Sequence, residues 1–263
     1  MKYFASLLLA LFLLTGCKKD KEETIETSTA KETPALTFEN KEYNKTTTLP
    51  GDEPRTYVTI SVPEATGGNP AASDTINNKI FRTVRSIVYF GEKPTDAKSY
   101  EELMNSFIQS YDELSKKFPA DAMSWEAKIK ATVDYKTDSI INIKLNNYMF
   151  TGGAHGYAGD RSLLFNAKTG RSLEYKDIFK DEKAFTALAE KKFRSKYKIP
   201  DGKSINATGL MFDEEKFALP QNIFFKDNGI LLYYNAYEVA AYAEQQKELL
   251  IPYSEADAFL RIK

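Results

Sequence analysis

The chain has 263 residues, 36 Lys and Arg against 37 Asp and Glu, and a formal charge of −1. So even a balance predicts no clustered positive face, and nucleic acid is excluded as an expected partner. One cysteine and one histidine exclude a disulfide framework and zinc–thiolate chemistry.

The first predicted element is a leader. Met1-Lys2 precedes an apolar run from Tyr3 to Leu14, and Leu14-Thr15-Gly16-Cys17 closes it. About a dozen apolar residues is too short for a spanning helix, which needs roughly 20. The pattern resembles a bacterial lipoprotein signal peptide over residues 1–16, with Cys17 as the lipidated first residue of the mature chain. The expectation is a cell-envelope protein held to a membrane by lipid, at an outer membrane, facing the periplasm or the cell surface. Residues 17–36 are expected to be a tether. Lys18 to Pro34 mixes both charge signs with minimal apolar content, too little to offset the entropy of ordering.

Strands are predicted over 37–46 and 55–63, the second alternating Tyr57, Thr59 and Ser61 against Val58, Ile60 and Val62. Pro50-Gly51-Asp52 is the expected turn between them. A helix follows, with Asp74 as its expected cap, Ile76, Ile80 and Val84 on its apolar stripe and Gly91 at its end. A second helix runs from about Ser99 to Phe118, with Leu103, Phe107, Tyr111 and Leu114 in register. Strands resume over 125–135 and 140–150, turning at Thr137-Asp138-Ser139. In the latter strand Ile141, Ile143 and Leu145 share one face, and Ile140, Asn142, Lys144 and Asn146 the other.

After Gly152-Gly153-Ala154-His155-Gly156 the chain is expected to emerge as a strand at Leu163, turn at Lys168-Thr169-Gly170 and form another short strand before Asp177-Ile178-Phe179. Asp181 caps a helix to about Lys198. Asp227-Asn228-Gly229 joins the clearest hairpin, 222–225 with 230–234. A last strand covers 249–253, with Ser254 capping a final short helix. Many hairpins with segregated helices predict an α+β fold, mainly antiparallel sheet with packed helices in two subdomains.

Tyr148 through Gly156, Phe165-Asn166, Lys168-Thr169-Gly170 and Asp177-Ile178-Phe179 together resemble the GGAHG-type signature of the RsiV-like domain. Tyr237 through Ala243 with Ile251-Pro252-Tyr253 is similar to that domain's second signature. The stretch before residue 150 resembles the PdaC-type N-terminal domain. The resemblance implies a PdaC-type α+β domain at 37–150 and an RsiV-like α+β domain at 151–263. Ala241 and Gln245 stand where the family commonly has Pro and Gly, which argues against a tight turn after Tyr242. By resemblance, recognition of a cell-wall component or of a lysozyme-like protein is the property that transfers. Deacetylation does not, because it belongs to a separate metal-dependent domain needing several histidines. Anti-sigma activity does not either, since it needs a cytoplasmic segment.

The site candidates are Gly152, Gly153, His155, Gly156, Tyr237, Glu238 and Tyr242. His155 among glycines is either a proton carrier or a structural lock whose ring nitrogens bond the backbone. Glu238, flanked by Tyr237 and Val239 and near Tyr242, is either a buried acid or a paired structural carboxylate. Trp125 is either a sugar-stacking platform or core. No HExxH, GxSxG or dinucleotide motif is present, and neither metal nor cofactor is expected. The leading expectation is a non-catalytic binding protein. The alternative is a hydrolase of cell-wall glycan or peptide using His155 and Glu238 in one pocket. A third reading, an assembly role, would need an extended apolar patch.

Overall fold

The computed structural model describes residues 35–50, 54–120 and 123–263. Cys17, the leader and most of the tether lie outside the described residues, as does the Gly51-Asp52 part of the first turn. Among the described residues no helix is long and apolar enough to cross a membrane.

The fold is α+β and contains two sheets. β1 (Leu36–Thr46), β2 (Tyr57–Gly67), β3 (Glu126–Lys136), β4 (Ile140–Phe150) and β5 (Tyr157–Asn166) form a five-stranded sheet in that order. Its pairs are antiparallel except β2 with β3, which run parallel, Tyr57 opposite Glu126 and Ser61 opposite Lys130. A parallel pair needs a long crossover. The crossover is made by α1 (Pro70–Arg85) and α2 (Tyr100–Lys117). The second sheet is antiparallel and holds β6 (Asn222–Lys226), β7 (Gly229–Tyr234) and β8 (Lys247–Pro252). A one-turn helix α3 (Tyr175–Ile178), helix α4 (Glu182–Lys196) and a short α5 (Tyr253–Ala256) accompany it.

Local chemistry explains most boundaries. Ser99 Oγ accepts the Glu102 N–H at 3.1 Å, and the Glu102 carboxylate accepts the Lys98 N–H at 2.7 Å, so α2 starts in a reciprocal cap. Asp181 Oδ1 accepts the Ala184 N–H at 2.9 Å and starts α4. Other boundaries differ from expectation. α1 starts at Pro70, capped by Asn69, whose Oδ1 accepts the Ala71 N–H at 3.0 Å. Pro suits the first helical position, so Asp74 lies inside the helix. That helix ends at Ser86 rather than at Gly91. β5 begins at Tyr157, ahead of Leu163, so the first sheet continues past residue 150. The residues before Phe179 form α3 instead of a strand, leaving only a bridge between Phe165 and Ser172. α5 starts after Pro252, and Ser254 lies within it.

β4 is buried on both faces from Ile140 to Ile143. Ile141, Ile143 and Leu145 join a core with α1, α2 and the inner faces of β2 and β3. Ile140, from the opposite face, joins a second core around α4 and the three-stranded sheet. Asn142 also lies on that opposite face, fully buried. Its Oδ1 accepts the Phe225 N–H at 2.8 Å and its Nδ2 donates to Ser162 Oγ at 2.9 Å.

The outer edge of β5 is covered by asparagines. The Ser162 N–H donates to Asn222 Oδ1 at 2.9 Å and the Asp160 N–H to Asn235 Oδ1 at 2.7 Å, while Asn235 Nδ2 donates back to Asp160 O at 2.9 Å. Side-chain amides here take the place of a neighbouring strand, which satisfies an edge that would otherwise be open. They also fix the β7–β8 loop against β5, and this fastening positions the site.

Candidate functional site

The site is built from the β4–β5 loop and the β7–β8 loop. Gly152 and Gly153 both have positive φ, at 102° and 93°, and reverse the chain after β4. Gly156 is buried against Tyr148, and a Cβ there would sit 2.5 Å from that ring, so the close packing needs glycine. Between them His155 is exposed, its Nδ1 2.9 Å from Gly156 O.

The β7–β8 loop is held by Glu238. Its carboxylate accepts the Asn235 N–H at 2.9 Å and the Gln221 N–H at 3.3 Å. Burial raises the pKa of this half-buried acid, and the two backbone N–H groups pull it back. Tyr237, next to it, is 55% exposed and carries a φ of 68°, an uncommon conformation for a tyrosine.

Beyond it Tyr242 opens a single 3-10 turn, Tyr242–Glu244, and the Gln245 N–H returns to Tyr242 O at 3.0 Å. The tight turn argued against by Ala241 and Gln245 is therefore present. Gln245 accommodates it at φ 58° and ψ −169°, a region that glycine enters more easily.

These loops bring three of the candidate rings together. His155 stacks on Tyr242 at 4.5 Å between centroids and 10° between planes, and Tyr242 stacks on Tyr237 at 5.2 Å and 25°. All three residues are exposed, so the stack stands on the surface.

A concavity opens on either side. One, of about 570 Å³, is lined by Glu126, Tyr148, Phe150, His155 and Tyr242 and borders the outer face of the first sheet. Lys128 on that face lies over the rings of Tyr57 and Tyr148 and bonds Glu126. The other concavity, of about 290 Å³, is lined by Tyr157, Tyr237, Glu238, Asn147 and Arg161 among others. His155 and Glu238 thus line different concavities.

Trp125 is 2% exposed and packs against Phe90, Phe107 and Tyr111, so it is core and offers no platform to a ligand. Asn147, Arg161 and Tyr157 are not among the candidates that the sequence singles out; its one signal is Asn147, a polar residue in register with Ile141, Ile143 and Leu145 on β4.

Among the described residues no group of three or more His, Cys, Asp or Glu side chains is arranged to hold a metal ion. They do not fit a metal-dependent deacetylase centre.

Residues 51–158 match the family model described as Deacetylase PdaC, and residues 176–254 match that described as Protein of unknown function (DUF3298). The chain thus carries a PdaC-type N-terminal region followed by a DUF3298 region. The Gly152–Gly156 stretch, which the resemblance gave to the C-terminal domain, falls within the residues matched to PdaC. Among solved structures, the chain is similar to a member of the DUF3298 family from Bacteroides fragilis, with 24% identity and a TM-score of 0.66. It is also similar to a DUF3298 family protein from Pseudomonas aeruginosa, with 20% identity and a TM-score of 0.57. Both comparisons cover 87% of this chain and 94% of the other, and at these identities the likeness is one of fold. No curated protein matches the chain.

Proposed function

We propose that the protein is a cell-envelope lipoprotein, anchored through Cys17, that binds a cell-wall component or a protein ligand such as lysozyme without catalysing a reaction. One observation carries this reading: the exposed stack of His155, Tyr242 and Tyr237 between two open concavities. Exposed aromatic rings held in fixed positions are characteristic of binding surfaces, because they supply large contact area at low entropic cost. The resemblance to the RsiV-like and PdaC-type domains supports a ligand from the cell wall or one that acts on it. A hydrolase using His155 and Glu238 would need both groups within reach of one substrate. Their placement in separate concavities, and the use of Glu238 to hold two backbone N–H groups, favour the binding reading.

The purified protein should co-sediment with insoluble cell-wall material or bind lysozyme, and Tyr242→Ala should weaken whichever interaction is found. Failure to bind either would contradict the proposal. Release of a glycan or peptide fragment by the wild-type protein would turn it toward catalysis. Mass spectrometry of the native protein tests the anchor: a lipidated N-terminal Cys17 is expected, and an intact Met1 with a free thiol would refute it.

A further inference from the structure

We infer that the concavity beside Tyr237 is a sugar-binding site that takes one neutral pyranose ring of a glycan. The inference rests on the ligand-binding reading above and gives that ligand a chemical class.

The first observation is an unused buried amide. Asn147 is only 6% exposed, lines the concavity and has no hydrogen-bond partner among the described residues. Tyr253 Oη and Asp257 Oδ1 are the fully buried side-chain polar atoms without a partner among the described residues, so the Asn147 amide reaches the solvent of the concavity, where it can donate to and accept from a ligand. Asparagines elsewhere in this seam are engaged: Asn142, Asn222 and Asn235 each bond backbone groups. Asn147 differs from them in facing the open space.

The second observation is the set of groups around it. The Arg161 guanidinium and the Gln221 amide also line the concavity, and neither side chain has a hydrogen-bond or ion-pair partner among the described residues. Amides both donate and accept, and a guanidinium donates in a planar fork, which suits the hydroxyl and ring oxygens of a sugar.

The rings of Tyr157, 39% exposed, and Tyr237, 55% exposed, offer an apolar surface for the C–H face of a pyranose. The volume of about 290 Å³ lies at the lower end of small-molecule sites, near the scale of a single sugar ring.

Charge argues for a neutral ligand. Asp160 is neutralised by Lys144 at 2.9 Å and bonded by Asn146, and Glu238 is held by backbone N–H groups. With Asp160 paired to Lys144, the Glu238 carboxylate balances the Arg161 guanidinium, so the concavity has no surplus positive charge with which to favour a carboxylate-bearing sugar over a neutral one.

Isothermal titration of the purified protein tests the inference, using neutral trisaccharides of N-acetylglucosamine and of glucose, with glucuronate as the acidic counterpart. At least one neutral trisaccharide is expected to bind more tightly than glucuronate. Asn147→Leu, which keeps the side-chain volume, and Tyr237→Ala on the surface should each weaken that binding about tenfold while leaving the unfolding temperature near that of wild type.

Three results would overturn the inference: no neutral trisaccharide binding at about 10 mM, tighter binding of glucuronate, or unchanged affinity in both variants. If the same preparation still co-sediments with cell-wall material or binds lysozyme, the sugar inference alone has failed. If it binds neither, the ligand-binding reading has failed with it.

Discussion

The core under the five-stranded sheet is largely aliphatic: Val58, Ile60 and Val62 from β2, Ile76 and Ile80 from α1, Ile141 and Ile143 from β4. The core around the three-stranded sheet is richer in rings: Phe179, Phe185, Phe193, Phe212, Phe225 and Tyr234 pack among its Ile and Leu side chains. The difference follows from the backbone each must hold. Aliphatic side chains at periods of 2 and 3.6 fill the space between regular strands and helices. The second region contains the long stretch from Ile199 to Leu219 with only a 3-10 turn, and large rings bridge segments that share no ladder of hydrogen bonds. Phe193 alone contacts the rings of Tyr197, Phe212, Phe217 and Tyr234. Irregular backbone fastened by rings and amides can carry exposed loops at unusual φ, as at Tyr237, a member of the ring stack, and at Gln245, three residues after Tyr242.

The largest effect that tests this contrast is on the ring-rich core. Phe193→Ala should destabilise the protein by about 3–5 kcal/mol in denaturant unfolding, against about 0.5–1.5 kcal/mol for Ile80→Val in the aliphatic core. A smaller loss at Phe193 than at Ile80 would break the comparison. Next comes the seam between the two regions. Asn142→Ala strands the buried Phe225 N–H and should cost about 1–3 kcal/mol, with faster hydrogen exchange at that amide. Unaltered exchange at Phe225 would mean the seam is not held there.

A gain is expected at the strained turn. Gln245→Gly should relieve the positive φ and raise stability by about 1 kcal/mol after the added entropy of the unfolded chain is subtracted. A loss would show that the turn is not strained. The smallest effect is electrostatic. Burial raises the folded-state pKa of Glu238 above its unfolded value, so the folded state holds the proton over a wider range. Its contribution to stability is present below the unfolded pKa and declines as pH rises through the folded one. Carbon NMR of the carboxyl should show a midpoint above the ordinary glutamate range; a midpoint at or below that range would contradict the burial.

Both regions were legible in the sequence wherever their signals are local. Ser99 three residues before Glu102, Asp181 before an amphipathic run and Asp227-Asn228-Gly229 between apolar strands each name their structure through short-range chemistry. What escaped was non-local. The parallel pairing of β2 with β3 depends on where two helices deliver the chain, which periodicity does not encode. Asn222 and Asn235 standing in for a strand beside β5 read as ordinary polar residues. The ring stack was half visible: His155, Tyr237 and Tyr242 stood out individually, but their meeting depends on the amide fastening between β5 and the β7–β8 loop. Glu238 was legible as a half-buried acid, while its separation from His155 was not.

His155 is the only histidine and Trp125 the only tryptophan, one in the exposed stack and the other in the core. Their ring signals in a proton–carbon and proton–nitrogen NMR titration are therefore unambiguous, a paired reporter of site and scaffold. Adding solubilised cell-wall fragments or lysozyme should shift the His155 ring signals progressively to saturation and leave the Trp125 indole signal nearly unmoved. Saturating binding, detected independently, that leaves His155 unshifted would contradict the assignment of the ring stack as the ligand surface.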